Sequence, residues 1–458
     1  MDRRPADPID PATVTVLNDG EIEADGDPCP AAPPRLRAQF ASWLHTVRIV
    51  GLCLLLMFTI LAYGAVESWS LFLLQAGAAT LFVLWAIEQV LRDTIEISPN
   101  PFYLPLLGFG IWISIQLALR IPAYRYPAAN GLLACIGYAL LFFVAVQCCR
   151  SRQDLLIITR LLGTFGFFLA VFAMLQGFTA PGKLYWVRTP SEGGWVYGPY
   201  VDHSHYAGLM EMLAPLGLVL GLSSRLRSGQ KVLCLFAGAV MAASIFLSQS
   251  RGGIVAFVLE LIFLAVALFA ERRGKHSLVG LAAFLVFVIA SGVWLSGGSL
   301  LRRMENMQDT TRLAIAKDSL RMFAAKPATG WGMGNFEHVF PRYRTFYSNK
   351  LVEHAHNDYL EAMTETGLPG GVFVLLFVVL LYRKGLQATA TWDRSNRSAV
   401  QLAALVGCTG ILLHSLTDFN MHIPANAAVF LLLAAMATSP EPEPLAFQDD
   451  ADRRPWSL

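Results

Sequence analysis

Long apolar runs recur along this chain so often that a bundle of membrane-crossing helices is the one architecture that satisfies them all. The runs at 47–66, 70–90, 131–149 and 278–295 carry almost no charge. Each approaches or meets the ~20 residues needed to carry a helix across ~30 Å of hydrocarbon. Further runs fall at 102–119, 155–177, 206–222, 232–249 and 253–270, with three more at 367–382, 398–416 and 424–438. Inside lipid the backbone must satisfy its own hydrogen bonds, so these runs are expected to be helical. The composition agrees: 55% of the residues are hydrophobic, 15% are charged, and the mean hydropathy is +0.50. That is too apolar for an ordinary soluble domain. The expected fold is an all-α polytopic membrane protein with about 12 transmembrane helices.

The flanks and loops orient the bundle. Residues 1–40 are rich in Pro, Ala, Asp and Glu, which predicts a disordered cytoplasmic tail with no cleavable signal peptide. The bundle is expected over 41–438, with a second cytoplasmic tail at 439–458. Of the seven cysteines all but Cys29 lie in or beside apolar runs, so neither a disulfide framework nor a zinc-type cysteine spacing is present. Alternate loops are basic, at Arg150 and Arg152, at Arg225, Arg227 and Lys231, at Arg272, Arg273 and Lys275, and at Arg383, Lys384, Arg394 and Arg397. The positive-inside rule puts those loops and both termini in the cytoplasm. It leaves 179–204, the tight turn at 250–253 and the long loop 297–366 on the outer side. His203, Arg251, Arg312 and His356 then share one membrane face.

Charged and titratable groups at the rim of such a bundle are costly unless they bind something polar or do chemistry. The densest set is His354-Ala355-His356-Asn357-Asp358-Tyr359-Leu360-Glu361, at the end of the long outer loop. A histidine with an unperturbed pKa near ~6.5 suits removal of a proton from a hydroxyl nucleophile. The same run has two competing readings. His354 and His356 form a weak metal-ligand pair with Asp358 or Glu361, and Asn357 or Asp358 suits a helix cap. Arg251, in Ser248-Gln249-Ser250-Arg251-Gly252-Gly253, stands between two apolar runs with glycines that permit close backbone approach. It suits a bidentate phosphate contact, against the plainer reading of an arginine snorkelling to headgroups.

Arg312 falls in the first turn of a helix expected from Thr310 to about Phe323, capped from the 309–311 triplet. Its apolar face is expected to be Leu313, Ala316, Leu320 and Phe323. A cation at a helix N-terminus gains nothing from the helix dipole, so a function or a solvated face must explain it. His203 and His205 form a second polar cluster, and His414 and Asp418 are expected to hold helix ends together. Glu211 and Glu260 are isolated acids within spans whose partners the sequence does not identify. No internal repeat of the transporter kind is evident. The glycines of Gly330-Trp331-Gly332-Met333-Gly334 do not link a strand to a helix, so a dinucleotide fingerprint is discounted.

Together these residues resemble a known family. His356-Asn357 followed after nine residues by Gly367-Leu368-Pro369-Gly370 is similar to the signature closing the large periplasmic loop of bacterial O-antigen ligases and related polymerases, the Wzy-C superfamily. The turn Ser250-Arg251-Gly252-Gly253 resembles that family's Ser-Arg-Gly motif. Arg312 followed by Pro327-Ala328-Thr329-Gly330-Trp331-Gly332-Met333-Gly334-Asn335-Phe336 resembles its R…PxxGxGxGNF stretch. The resemblance covers roughly 199–438, and in the His203 cluster Asp202 and Ser204 stand where the family is richer in Asn.

The resemblance implies a GT-C-like membrane glycosyltransferase of lipopolysaccharide and polysaccharide biosynthesis, multi-pass in the bacterial inner membrane with its site facing the periplasm. The implied donor is a glycan on undecaprenyl diphosphate, and the implied acceptor is a hydroxyl of lipid A-core or another lipid-linked glycan. No metal, cofactor or nucleic acid is implied. Arg251 and Arg312 would hold the diphosphate and stabilise it as it leaves, and His356 would activate the acceptor. His203, His205, Asn357 and Tyr359 join the arginines as expected substrate contacts. A polysaccharide polymerase of the same superfamily shares these motifs and differs in acceptor. A transporter or flippase of lipid-linked glycans also accounts for many spans and buried arginines, but not for the long structured outer loop.

Overall fold

A computed structural model describes residues 35–190, 195–223, 225–270, 310–347, 351–389 and 395–440. The described residues form helices α1 (Arg35–Leu61), α2 (Ser68–Arg92), α3 (Tyr103–Ala118), α4 (Arg125–Cys148), α5 (Arg152–Thr179), α6 (His203–Leu222), α7 (Ser228–Ser248), α8 (Arg251–Ala270), α9 (Thr310–Ala325), α10 (Asp358–Thr389), α11 (Asn396–His414) and α12 (Pro424–Ala437). No strand occurs among them. Nine of these helices are long and apolar enough to cross a membrane, while Tyr103–Ala118 and Pro424–Ala437 are apolar but shorter. Eleven of the expected apolar runs thus coincide with helices. The run at 278–295, and with it most of the outer loop before Thr310, lies outside the described residues.

Side-chain composition sorts the helices into centre and periphery. α6 and α11 lie at the centre, each 94% buried over its spanning window, while α2 is 28% buried and turns Phe72, Leu73 and Val83 outward. Bare glycines let the central helices approach. A methyl group added at Gly217 of α6 would lie 2.7 Å from the Cys234 carbonyl of α7, and one at Gly407 of α11 would lie 2.6 Å from the Met212 carbonyl. Small residues at such contacts are what bring membrane helices together, since lipid supplies no hydrophobic drive between them. Glu211 finds its partner here, its Oε1 lying 3.0 Å from His414 Nδ1 with both side chains fully buried. Glu260 reaches the same level, where a methyl group at Gly410 would meet its Oε2 at 2.4 Å.

Two local features depart from expectation. α9 covers the expected residues but buries Ile315, Asp318, Ser319 and Met322, while Leu313 and Leu320 are exposed. Polar groups help set the rotation: Asp318 accepts from the Thr345 backbone N–H (2.8 Å) and hydroxyl, and Ser319 bonds back to the Ile315 carbonyl. The face that turns inward carries Ile315 and Met322 as well as these hydrogen-bonded groups, so apolar burial and the bonds of Asp318 act together. α10 begins at Asp358, nine residues before the apolar run predicted from Gly367, and is broken at Gly367 (φ 67°).

That break explains the glycine-rich run. Gly330, Gly332 and Gly334 all have positive φ; Gly330 presses against Glu365 and Gly367 in the opened turn of α10, while Gly332 and Gly334 lie against Pro122 and Pro127. Trp331 and Gly332 donate to the carbonyls of Thr364 and Glu365 (3.0 and 2.8 Å), and Leu368 donates to Pro327 (2.8 Å). Gln116 of α3 bonds Thr329 and Glu365, and Trp112 bonds Thr366. The carboxylate of Glu365 accepts from Phe336 N–H at 3.0 Å. The first turns of α10, with Asp358 and Glu361, are thereby clamped at the rim of the bundle.

Candidate functional site

The site is built where the starts of α6, α8, α9 and α10 meet the segment between α11 and α12. Gln249 ends α7 in the left-handed region (φ 59°). Ser250 then caps the first turn of α8, its hydroxyl accepting from Gly253 N–H (3.1 Å) and donating to Ser204 of α6 (3.3 Å). This places half-buried Arg251 as the first residue of α8. A methyl group at Gly252 would fall 2.9 Å from both His414 Nε2 and Thr417 Oγ1, so the turn lies flush against the end of α11.

Arg312, from the first turn of α9, reaches the same segment. Its Nη1 donates to the Thr417 carbonyl (3.0 Å) and its Nη2 lies 3.6 Å from Asp418 Oδ2, with the side chain 38% exposed. His356 approaches from the opposite side, its Nδ1 being 3.3 Å from Asp418 Oδ1. His356 itself has φ 51°, a left-handed conformation for a bulky residue, which is a cost of about 1–3 kcal/mol that the surroundings must offset. Asp418 is 1% exposed and also accepts from the Phe419 N–H (3.0 Å). Burial by itself would raise its pKa. The hydrogen bond from His356 and the nearby His205, Arg312 and His414 outweigh that and hold it well below the usual carboxylate range.

Phe419 forms a floor for three imidazoles. His354 stacks on it (centroids 4.2 Å apart), and His205 and His356 meet it edge-on at 4.6 and 5.1 Å. His205 is buried beneath this ring, while His203 sits at the rim with its Nδ1 3.2 Å from Asp202 and its ring 5.5 Å from Trp195. Asn357 caps α10, accepting from Leu360 N–H (2.9 Å), and donates to the Leu416 carbonyl (2.9 Å). Tyr359 donates to the Leu412 carbonyl (2.7 Å). Beside this centre, Glu361 lies 2.8 Å from His354 Nδ1 and 3.2 Å from His422 Nε2, and Asp358 takes His422 Nδ1 at 2.7 Å. Burial lowers the pKa of His422, but Glu361 and Asp358 overcome it and push the group up to about 10.

Arg312, His205 and His356 therefore converge on one loop, with His203 at its edge and the turn that carries Arg251 packed against the start of the loop. Thr417, Asp418, Phe419 and His422 organise the site, so Asp418 does more than hold helix ends together. A usable signal was present, because His414, Asp418 and His422 stand four residues apart beside a membrane rim. Below Asp358 and His422 a cavity of about 270 Å³ runs between α3, α4, α10 and α12, walled by Phe109, Tyr138, Phe373 and Phe377.

The family model described as O-antigen ligase (Wzy_C) matches residues 236–375. This stretch of the chain is O-antigen ligase-like. No curated protein matches the chain. The O-antigen ligase-like stretch holds Arg251, Arg312, His356, the glycine clamp and the kink of α10, and it ends before Asp418 and His422.

Proposed function

We propose that this protein is a polyprenyl-diphosphate-dependent glycosyltransferase that moves a glycan from undecaprenyl diphosphate to a hydroxyl acceptor. The observation that carries the reading is the division of Asp418 between His356 on one oxygen and Arg312 on the other. It sets a base and a cation on opposite sides of one buried anion, with Arg251 heading α8 next to Gly252, which lies against His414 and Thr417. The glycosidic carbon is bonded to a diphosphate oxygen. As the acceptor oxygen forms its bond to that carbon, the old bond breaks and its electron pair goes to the diphosphate. Guanidinium groups fixed at the rim stabilise that charge, and in this reading they take the place of a metal at the reacting atoms.

The acceptor proton goes to His356. With Nδ1 turned to Asp418, its Nε2 faces away from the carboxylate, and Asp418 stabilises the imidazolium that forms, as the acid does in a serine-hydrolase triad. The apolar cavity between α3, α4, α10 and α12 suits a prenyl or acyl chain, so a lipid-anchored substrate can present its head at the rim. The reading places the protein in the bacterial inner membrane, its site facing the periplasm, with lipid A-core or another lipid-linked glycan as acceptor. A polymerase differs only in that acceptor. A flippase needs no base held on a buried acid.

The test is transfer by purified protein from an undecaprenyl-diphosphate oligosaccharide. Release of lipid diphosphate is expected to require added acceptor and to fall about 10²–10³-fold in Arg251→Ala, the range for losing one fixed charge-stabilising donor. An unchanged rate in Arg251→Ala overturns the mechanism. A lengthened glycan as product identifies a polymerase, and a glycosylated lipid core identifies a ligase.

A further inference from the structure

We propose that His354, Glu361 and His422 form a zinc site beside the Arg312–Asp418–His356 centre, fastening the end of the outer loop to α10 and to the turn before α12. The three ligand atoms come from three segments that are separate in sequence. His354 lies in the loop, Glu361 on α10 and His422 in the 420–422 turn, and their ligand atoms all lie within 4.8 Å of one another. Glu361 Oε1 is the meeting point, 2.8 Å from His354 Nδ1 and 3.2 Å from His422 Nε2. Around a tetrahedral zinc with bonds of about 2.0–2.1 Å, ligand atoms are roughly 3.3 Å apart. To accept the ion the Glu361–His354 pair opens by about half an ångström, and the two imidazole nitrogens, within 4.8 Å of each other, draw together by up to about 1.5 Å.

The surroundings are those of a ligand set. Glu361 Oε2 is fixed by the Ala355 N–H at 2.7 Å, which leaves Oε1 aimed at the two imidazoles. Asp358 holds His422 through Nδ1 at 2.7 Å and is itself anchored by Met421 N–H at 3.0 Å. A carboxylate on the far nitrogen of a histidine sets its tautomer and aims the other nitrogen at a metal. A hydrogen-bonded network of His422 with its two acids accounts for that histidine. It does not account for a second imidazole turned onto the same carboxylate oxygen. Buried Asp358 and Glu361 also bring two negative charges together, and a divalent cation compensates them in place of the proton that His422 gives up on ligation. His354 and His422 keep 27% and 22% of their side chains exposed, so the ion has a way in from the rim. His356 is turned to Asp418 and is not a ligand, which separates this site from a simple HxH pair.

The experiment uses the full chain in detergent, purified through a histidine-free tag and stripped with a chelator. One equivalent of zinc by elemental analysis is expected to return after reloading and desalting. Cobalt(II) in its place is expected to give the visible d–d bands of a tetrahedral site. His354→Ala and His422→Ala should each lose the bands and the stoichiometric metal, whereas His356→Ala keeps both. Asp358→Asn should bind zinc about 10–100-fold more weakly, the usual effect of losing an orienting carboxylate. Wild-type protein that retains no metal overturns the proposal without recourse to any variant. So does binding that survives in His354→Ala and His422→Ala, or that is lost in His356→Ala.

Discussion

The two oxygens of the Asp418 carboxylate face different halves of the site, Oδ1 toward His356 at 3.3 Å and Oδ2 toward Arg312 at 3.6 Å. Asp418→Asn keeps the shape and removes the charge, so His356 loses the group that stabilises its protonated form. The transfer rate is expected to fall about 10²–10⁴-fold, the worth of a positioned base, with His356→Ala falling in the same range. The double variant should be no slower than the worse single one, because both changes disable one unit. Additive losses in steady-state rates would show that the two residues act separately. Asp418 also makes a pH prediction. Its pKa is depressed in the folded protein by His356, His205, Arg312 and His414 against the effects of burial and of Asp202 nearby. A depressed acid stabilises the fold above its unfolded value, near ~3.9, and that contribution fades as pH falls toward the folded value. Thermal unfolding midpoints of wild type and Asp418→Asn should therefore differ at neutral pH and draw together below about pH 4. A gap that widens in acid contradicts this sign.

At the scale of elements, the outer half of α10 depends on the glycine clamp. A methyl group at Gly330 would sit 2.3 Å from the Glu365 carbonyl oxygen, with φ 66°. Both the left-handed strain, about 1–2 kcal/mol, and the clash with backbone oppose it. Gly330→Ala should lower the unfolding midpoint clearly, while Gly110→Ala on α3, which meets nothing within 4 Å, should leave it unchanged or raise it. Equal midpoints for the two variants would mean that the clamp carries no stability. The same elements show what sequence can and cannot disclose. Helices α1 to α8 were legible because each contains a near-continuous apolar run. Hydrophobicity does not set every end: α1 begins at Arg35, twelve residues before its run and inside the expected tail, and α4 at Arg125, six before its own. The rotation of α9 was not legible, because Asp318 is turned inward by Thr345, a partner 27 residues on that no periodicity announces. Asn357 was legible as a cap from its local sequence. The centrality of Asp418 was hidden because its partners Arg312 and His356 come from distant elements, 106 and 62 residues before it.

Across the whole molecule the two ends of the bundle differ in chemistry. The end where α1, α5 and α11 begin is tied by Arg48 to Glu88 (2.6 Å), His45 to Asp154 (3.2 Å) and Arg397 to the Arg150 carbonyl (3.1 Å). The other end carries Asp202, His356, Arg312 and Asp418. Basic residues collect at the first end, with Arg225, Arg227 and Lys231 around the start of α7, and the positive-inside rule assigns that end to the cytoplasm. A periplasmic transfer site requires the opposite end to face outward, so topology and mechanism stand or fall on one measurement. Lys183 lies in the exposed turn after α5 on the site's side, and exposed Ser228 begins α7 on the basic side. The background for single cysteines is a chain with all seven native cysteines replaced by Ser or Ala. A membrane-impermeant maleimide is expected to label Lys183→Cys in intact spheroplasts and Ser228→Cys only after permeabilisation. The reverse pattern would place Arg251, Arg312 and His356 in the cytoplasm, where a periplasmic acceptor cannot reach them.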